Sequence, residues 1–221
     1  MSRSQPEDGP LLSGSELERT WLDATSWVEV ARGWLDAPEA VFDHVRDQTS
    51  WRQGRLWRYE RWVEEPRLGG SYPIAASPHP AIVASQRTLQ HRYGVRFGGI
   101  GLSYYRDGTD LMAFHRDRDL RFLDETVIAL LVVGARRPFH LRPRANRYDH
   151  EAADKGATHD LSPGHGDLIV MGGACQAAWE HSVPRAPAVR EGRISLQWRW
   201  TSGRGRPVVG PSYRAPRNYS R

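Results

Sequence analysis

The chain has 221 residues, enough for one domain with a substantial core and too few for a large multidomain machine. Lys and Arg number 31 against 26 Asp and Glu, a net +5, but the last twenty residues, Ser202 to Arg221, hold five Arg and no acid, so the body before them is neutral. A single cysteine, Cys175, excludes an internal disulfide framework and any zinc site built from several thiolates, and fits a reducing compartment.

Residues 1–20 are rich in Ser, Glu, Gly and Pro and carry neither an apolar signal region nor an Arg-rich amphipathic transit pattern, so they read as the disordered lead-in of a cytoplasmic protein. Trp27 to Trp34 follows as a short strand. Asp36 to Ser50 reads as a helix: Asp36 and Glu39 have capping-box spacing, Pro38 suits the first turn, and Val41, Phe42 and Val45 share a face. A second helix is expected near His79 to Arg92, closed by Gly94. Val95–Tyr105, Thr126–Val133, Pro138–Pro143, Asp167–Met171 and Arg193–Thr201 are short, β-rich and bounded by Gly, Pro or Asp. The longest apolar run, Val127 to Val133, is far short of the roughly 18 residues that span a bilayer, and no membrane association is expected. The pattern predicts one mainly β domain over residues 21–201, a sandwich or barrel with helices on an outer face, followed by a basic flexible tail over 202–221. That tail and the cluster Arg136, Arg137, Arg142, Arg144 and Arg147 could attract a polyanion such as nucleic acid.

His115-Arg-Asp117 sets an imidazole and a carboxylate two residues apart, which on a strand puts both on one face and lets them share a metal ion. The chain holds a second match, His165-Gly-Asp167, which has the chemistry of a turn leading into a strand. Two histidines and one carboxylate leave three cis positions open on ferrous iron. After Asp167 one histidine remains, His181, far enough from His115 for intervening strands to bring the two together. In Arg193-Ile-Ser-Leu-Gln-Trp-Arg199, the residues Arg193, Ser195, Gln197 and Arg199 alternate with an apolar face. That polar face is either solvated or buried, and if buried it requires anionic partners, which a dicarboxylate would supply bidentately.

The order His-x-Asp, distant His, Arg and a second Arg six residues on resembles the AlkB family of iron(II) and 2-oxoglutarate dioxygenases. The resemblance runs from about Glu65 to Trp200 and is carried by Leu102 to Asp117, Gly166 to Gly173, Trp179 to Pro184 and Arg193 to Arg199. It implies a double-stranded β-helix, or jelly roll, with His115, Asp117 and His181 as iron ligands and O2 as the oxidant. It implies that Tyr105 and Arg193 hold 2-oxoglutarate, with Arg199 nearer the metal-bound end. Ser103 and Ser195 stand where many members have asparagine, so cosubstrate contacts there would be shorter or water-mediated. Asp119 sits where members place an acid that contacts the exocyclic amine of a base, although it could equally cap a turn. Residues 57–78 correspond to the nucleotide-recognition lid, with Trp57, Tyr59, Trp62 and Tyr72 as stacking partners or core residues.

The implied reaction is oxidative demethylation of N-alkylated bases, such as N1-methyladenine and N3-methylcytosine, in DNA or RNA, acting on a single-stranded or flipped base and releasing formaldehyde from the base and succinate from 2-oxoglutarate. The alternatives are the same chemistry on a protein or small molecule, and a nucleic-acid-binding module without catalysis.

Overall fold

The run Thr126 to Gly134 has no polar side chain after Thr126, so as a strand it must be covered on both faces. The computed structural model, which describes residues 12–58, 60–73, 79–117, 120, 123–144 and 158–203, places it in the middle of the larger of two sheets. In chain order the elements are β1 (Glu18–Trp21), β2 (Ser26–Ala31), α1 (Pro38–Gln48), β3 (Arg52–Arg58), β4 (Arg61–Pro73), α2 (Pro80–Tyr93), β5 (Gly99–Tyr105) and β6 (Met112–His115). They continue with β7 (Thr126–Gly134), β8 (His140–Pro143), β9 (His159–Asp160), β10 (Leu168–Gly173), α3 (Cys175–Ala178), β11 (Trp179–Val183) and β12 (Arg193–Thr201).

The eight-stranded sheet runs β1-β2-β10-β7-β12-β5-β4-β3 and the four-stranded sheet β6-β11-β8-β9, with neighbours antiparallel throughout. Together they form a double-stranded β-helix. Alternation along each strand creates two cores. On the outer face of the large sheet, Leu131, Val133, Ile194, Leu196 and Trp198 pack against Val41 and Val45 of α1 and Ile82 and Leu89 of α2. On the inner face, Ile128, Leu130, Ile169 and Met171 meet Phe139, Leu141, Trp179 and Val183 of the small-sheet side. Indole hydrogen bonds from Trp34 to Ser85 and from Trp198 to Gln86, each 3.0 Å, fix α2 on that outer layer.

Several local expectations change. From Leu12 onward the lead-in is part of the fold: Leu12 bridges to Leu35, Leu17 is buried, and β1 pairs with β2. The capping box at α1 is not formed. The helix starts one residue later, with Ala37 as its N-cap, and Glu39 is turned to His165 Nε2 at 3.3 Å. The stretch Val95–Gly98 is not strand, because the Phe97 amide donates to the Gln90 side chain at 3.0 Å and closes off α2 instead. Gly94, at φ 63°, ends that helix as expected.

The basic cluster is not one surface. Arg137 is 1% exposed and donates to the carbonyls of Asp107, Asp110 and Pro184 at 2.7, 2.7 and 2.9 Å. Arg142 pairs with Glu180 at 3.0 Å and lies 3.7 Å over the Phe114 ring. Arg147 lies outside the described residues, as does the tail beyond Gly203. No helix among the described residues is long and apolar enough to cross a membrane.

Candidate active site

β6 and β11 are adjacent, and their register sets His115 directly opposite His181. The ring centroids are 4.2 Å apart. Asp117 does not share the strand: β6 ends at His115, and the chain turns so that the Asp117 amide donates to Gln176 Oε1 at 2.8 Å. The turn still returns the carboxylate to the histidines, and ligand atoms of all three residues lie within 4.8 Å of one another. His115 Nδ1 is 2.9 Å from the Ala113 carbonyl, so it carries the proton and leaves the Nε2 lone pair free, 3.8 Å from Asp117 Oδ1. Phe139 stacks on the His181 ring at 5.7 Å.

Electrostatics suit a cation. Burial pushes His181 down to about 3 and holds His115 below its ordinary value, so both rings are neutral near pH 7, as metal coordination requires. Burial alone would raise the Asp117 carboxyl, but Arg199, with Nε 2.6 Å from Oδ2, and the two histidines hold it low and ionised.

The polar face of β12 is buried at Arg193 and Ser195 and opens towards Arg199, whose side chain is 38% exposed, so both halves of the choice left open by its alternation occur along one strand. Arg193 is wholly buried and Ser195 is 2% exposed, while Ile194, Leu196 and Trp198 belong to the outer core. Ser195 pairs across the sheet with Ser103, whose hydroxyl accepts from Gln197 Nε2 at 3.2 Å. The Gln197 carbonyl oxygen accepts in turn from Arg199. Among the described residues, none of the three Arg193 guanidinium nitrogens has a hydrogen-bond partner. Its neighbours are the Tyr105 ring, 5.8 Å away, and the cation Arg137, which lies 5.3 Å from that ring. Desolvation, with repulsion from Arg137, lowers Arg193 to about 10. A buried guanidinium with no counter-ion is costly, so the site is built for an anion.

His115, Asp117 and His181, with Tyr105, Ser103, Ser195, Gln197 and Arg199, line one cavity of about 420 Å³. Asp119 and Tyr59 lie outside the described residues. Trp57, Trp62 and Tyr72 are not brought to the cavity. Alternation gives its wall to Leu56 of β3 and to Glu65 and Arg67 of β4. Trp62 is 53% exposed and meets Trp57 edge-on at 5.5 Å, while Tyr72 bonds Thr49 and packs on the outer core. Glu65 and Arg67 are cavity residues that the motifs do not mark; their spacing of two within a strand, which puts both on one face, was the available signal.

A family model for the 2OG-Fe(II) oxygenase superfamily matches residues 60–199. The chain belongs to that superfamily. The triad and the orphaned Arg193 are consistent with iron(II) and 2-oxoglutarate, the groups for which that superfamily is named.

Its curated relatives bear out the likeness to AlkB proteins. The Bos taurus alpha-ketoglutarate-dependent dioxygenase alkB homolog 3 is 28% identical over 181 residues, covering 76% of this chain and 63% of the relative. The Homo sapiens DNA oxidative demethylase ALKBH2 is 27% identical over 177 residues, covering 73% and 67%. The match thus spans about two thirds of these relatives' length. Among solved structures, a Pseudomonas putida prolyl-4-hydroxylase aligns over 80% of this chain and 93% of its own, with TM-score 0.54 and 19% identity. A Trichoplax adhaerens prolyl hydroxylase, in complex with a hypoxia inducible factor peptide fragment, aligns over 79% and 83% with TM-score 0.55 and 12% identity. These two likenesses concern the fold.

Proposed function

We propose that this oxygenase removes N-alkyl groups from nucleic-acid bases, N1-methyladenine and N3-methylcytosine among them, as formaldehyde. The observation that carries the chemistry is a two-histidine-one-carboxylate cluster on a cavity also lined by Tyr105, with the buried Arg193 guanidinium, which lacks a counter-ion, 5.8 Å from that tyrosine ring. The alkB homologue and DNA oxidative demethylase names of the relatives favour a nucleic-acid substrate. Three guanidinium groups on the cavity wall, those of Arg67, Arg116 and Arg199, suit a polyanion.

In this reading His115, Asp117 and His181 hold iron(II). Arg193 pairs with the distal carboxylate of 2-oxoglutarate, with Tyr105 packed beside that guanidinium and Ser103 and Ser195 opposite each other across the β5–β12 ladder. When bound, iron(II) with 2-oxoglutarate and O2 supplies oxidation of an unactivated C–H bond, the cosubstrate leaving as succinate and carbon dioxide. The protein's contribution is positional. Arg199 keeps Asp117 ionised and oriented, Phe139 and Ile128 keep the histidines in an apolar setting, and Gln197 bridges Arg199 to Ser103 so that metal and cosubstrate ends are held in one frame. Hydroxylation of an N-methyl group gives an N-hydroxymethyl base that loses formaldehyde. A base must leave its stack to reach this interior, which single strands and mispairing lesions make easier.

The test is anaerobic loading with iron(II) and 2-oxoglutarate, then oxygen exposure with an oligonucleotide bearing N1-methyladenine or N3-methylcytosine, following repaired base and succinate. The expected result is coupled demethylation by wild type and none by His115→Ala. Succinate without repaired base would redirect the activity to a protein or small molecule, and neither product from iron-loaded protein would leave a binding module.

A further inference from the structure

β6 ends at His115, so strand alternation is not what returns the Asp117 carboxylate to the histidines. A side chain from another element does so. The Asp117 amide donates to Oε1 of Gln176, on α3, at 2.8 Å, and the Arg116 guanidinium donates to the Ala177 carbonyl of the same helix at 3.1 Å. The Asp117 carbonyl in turn accepts from the Leu120 amide at 3.0 Å. Two consecutive residues past the strand end are thus clipped to the single helical turn between β10 and β11.

That turn is itself fixed at both ends. Ahead of it the Ala174 amide donates to the Thr25 carbonyl at 3.0 Å, and the Gly173 carbonyl accepts from the Thr126 hydroxyl at 3.1 Å. Behind it the Ala178 carbonyl accepts from the Arg144 amide at 2.8 Å, and the Trp179 indole donates to Asp23 at 2.6 Å. Gln176 is wholly buried, and its Nε2 has no hydrogen-bond partner among the described residues. For packing alone such an amide is a poor choice, because an apolar side chain of the same length fills the space without stripping water from an orphan donor. What the amide adds is an acceptor, and the acceptor is used on the backbone of a metal-cluster residue. Arg199 holds the same residue by its carboxylate. Backbone and side chain of Asp117 are therefore set by different partners, Gln176 fixing where the main chain sits and Arg199 which way the oxygens point.

We propose that Gln176 is a positioning residue for the metal site: from outside the cavity, its Oε1 places the Asp117 main chain so that the carboxylate completes the donor set with His115 and His181. Losing that bond leaves the carboxylate in place for only part of the time, and metal affinity falls with that fraction. The inference rests on the reading of these three residues as metal ligands, and it is independent of which substrate enters the cavity.

Manganese(II) binding to the full chain is followed by EPR, in which the free-ion signal gives Kd and the line shape of the bound ion reports the symmetry of its donor set, and urea unfolding of the metal-free protein is measured on the same variants. Gln176→Met keeps the length of the side chain and removes the acceptor. Its Kd should rise roughly ten-fold and its bound line shape should change, with the urea midpoint of the metal-free protein close to that of wild type. Gln176→Glu keeps an oxygen at the same reach and should return the wild-type line shape, with Kd within about three-fold of wild type. An unchanged Kd in Gln176→Met would overturn the inference, as would a lowered urea midpoint with the wild-type line shape retained at saturating metal, which is what a packing role predicts. Failure of Gln176→Glu to restore the line shape would overturn it too, since the acceptor oxygen is the feature invoked. His115→Ala controls for the site itself: if it binds manganese(II) as tightly as wild type, the ligand assignment fails and takes this inference with it, a pattern distinct from a tight wild-type site that is indifferent to Gln176.

Discussion

Arg193→Met removes the buried guanidinium while keeping an unbranched side chain of similar reach. In wild type without cosubstrate the group is wholly buried and its nitrogens have no hydrogen-bond partner among the described residues, so deleting it relieves a desolvated charge. The melting temperature of the cosubstrate-free variant should equal or exceed that of wild type. With ligand the order reverses. At a 2-oxoglutarate concentration of about 100 Kd, wild type gains about 2.7 kcal/mol by mass action. For a domain of this size that is roughly 8 °C, at about 3 °C per kcal/mol. A charge-assisted carboxylate fork contributes about 3 kcal/mol, so its loss raises Kd about 150-fold. The same ligand concentration then supplies about 0.3 kcal/mol, a shift of about 1 °C. Differential scanning fluorimetry with manganese(II) present and 2-oxoglutarate titrated measures both quantities. A cosubstrate shift in Arg193→Met equal to that of wild type, or a large destabilisation of the cosubstrate-free variant, would instead make Arg193 a structural cation with no part in holding the cosubstrate.

Acid should destabilise the metal-free protein in a definite window. An unfolded histidine titrates near 6.5, whereas His181 in the fold resists protonation until about 3, so the unfolded state binds the extra proton between those values. Stability is therefore lost as the pH falls below about 6.5, with about 1 kcal/mol gone from His181 alone by pH 5.5. Urea midpoints at pH 7 and 5.5 should differ less in His181→Gln than in wild type; an equal difference would remove His181 as the cause. At Gly108 a Cβ would fall 1.8 Å from the Ala186 carbonyl oxygen and 2.8 Å from that of Val189, and Gly108 exchanges backbone hydrogen bonds with both residues. Backbone cannot yield as a side-chain tip can, so Gly108→Ala should cost about 3 kcal/mol in denaturant unfolding. A loss below about 0.5 kcal/mol would show that the turn relaxes.

What the chain discloses depends on whether the signal is local. The two helices, the buried strand Thr126–Gly134 and the two-faced strand Arg193–Thr201 are visible because periodicity and caps act within ten residues. His115 and His181 are harder, since their meeting depends on the register of β6 with β11; the motif order revealed them and spacing alone did not. The lid aromatics failed for a related reason. A composition rich in Trp and Tyr does not say which face of a strand is which, and alternation hands the cavity to Leu56, Glu65 and Arg67 instead. Arg137 was misassigned to the surface because its partners are main-chain carbonyls, which leave no trace in side-chain identity.

β6 has four residues and lies at the rim of the smaller sheet, paired among the described residues to β11 alone. One of the triad's imidazoles is on that rim strand, the carboxylate is just past its end, and the second imidazole is across the ladder on β11. An ion shared by the three would act as a rivet between a strand prone to fraying and one clamped on both sides. Metal affinity and hydrogen-exchange protection of Met112 to His115 are then two readings of a single equilibrium. Any substitution that loosens that rim, however far from the ligands themselves, would surface as a demand for more iron.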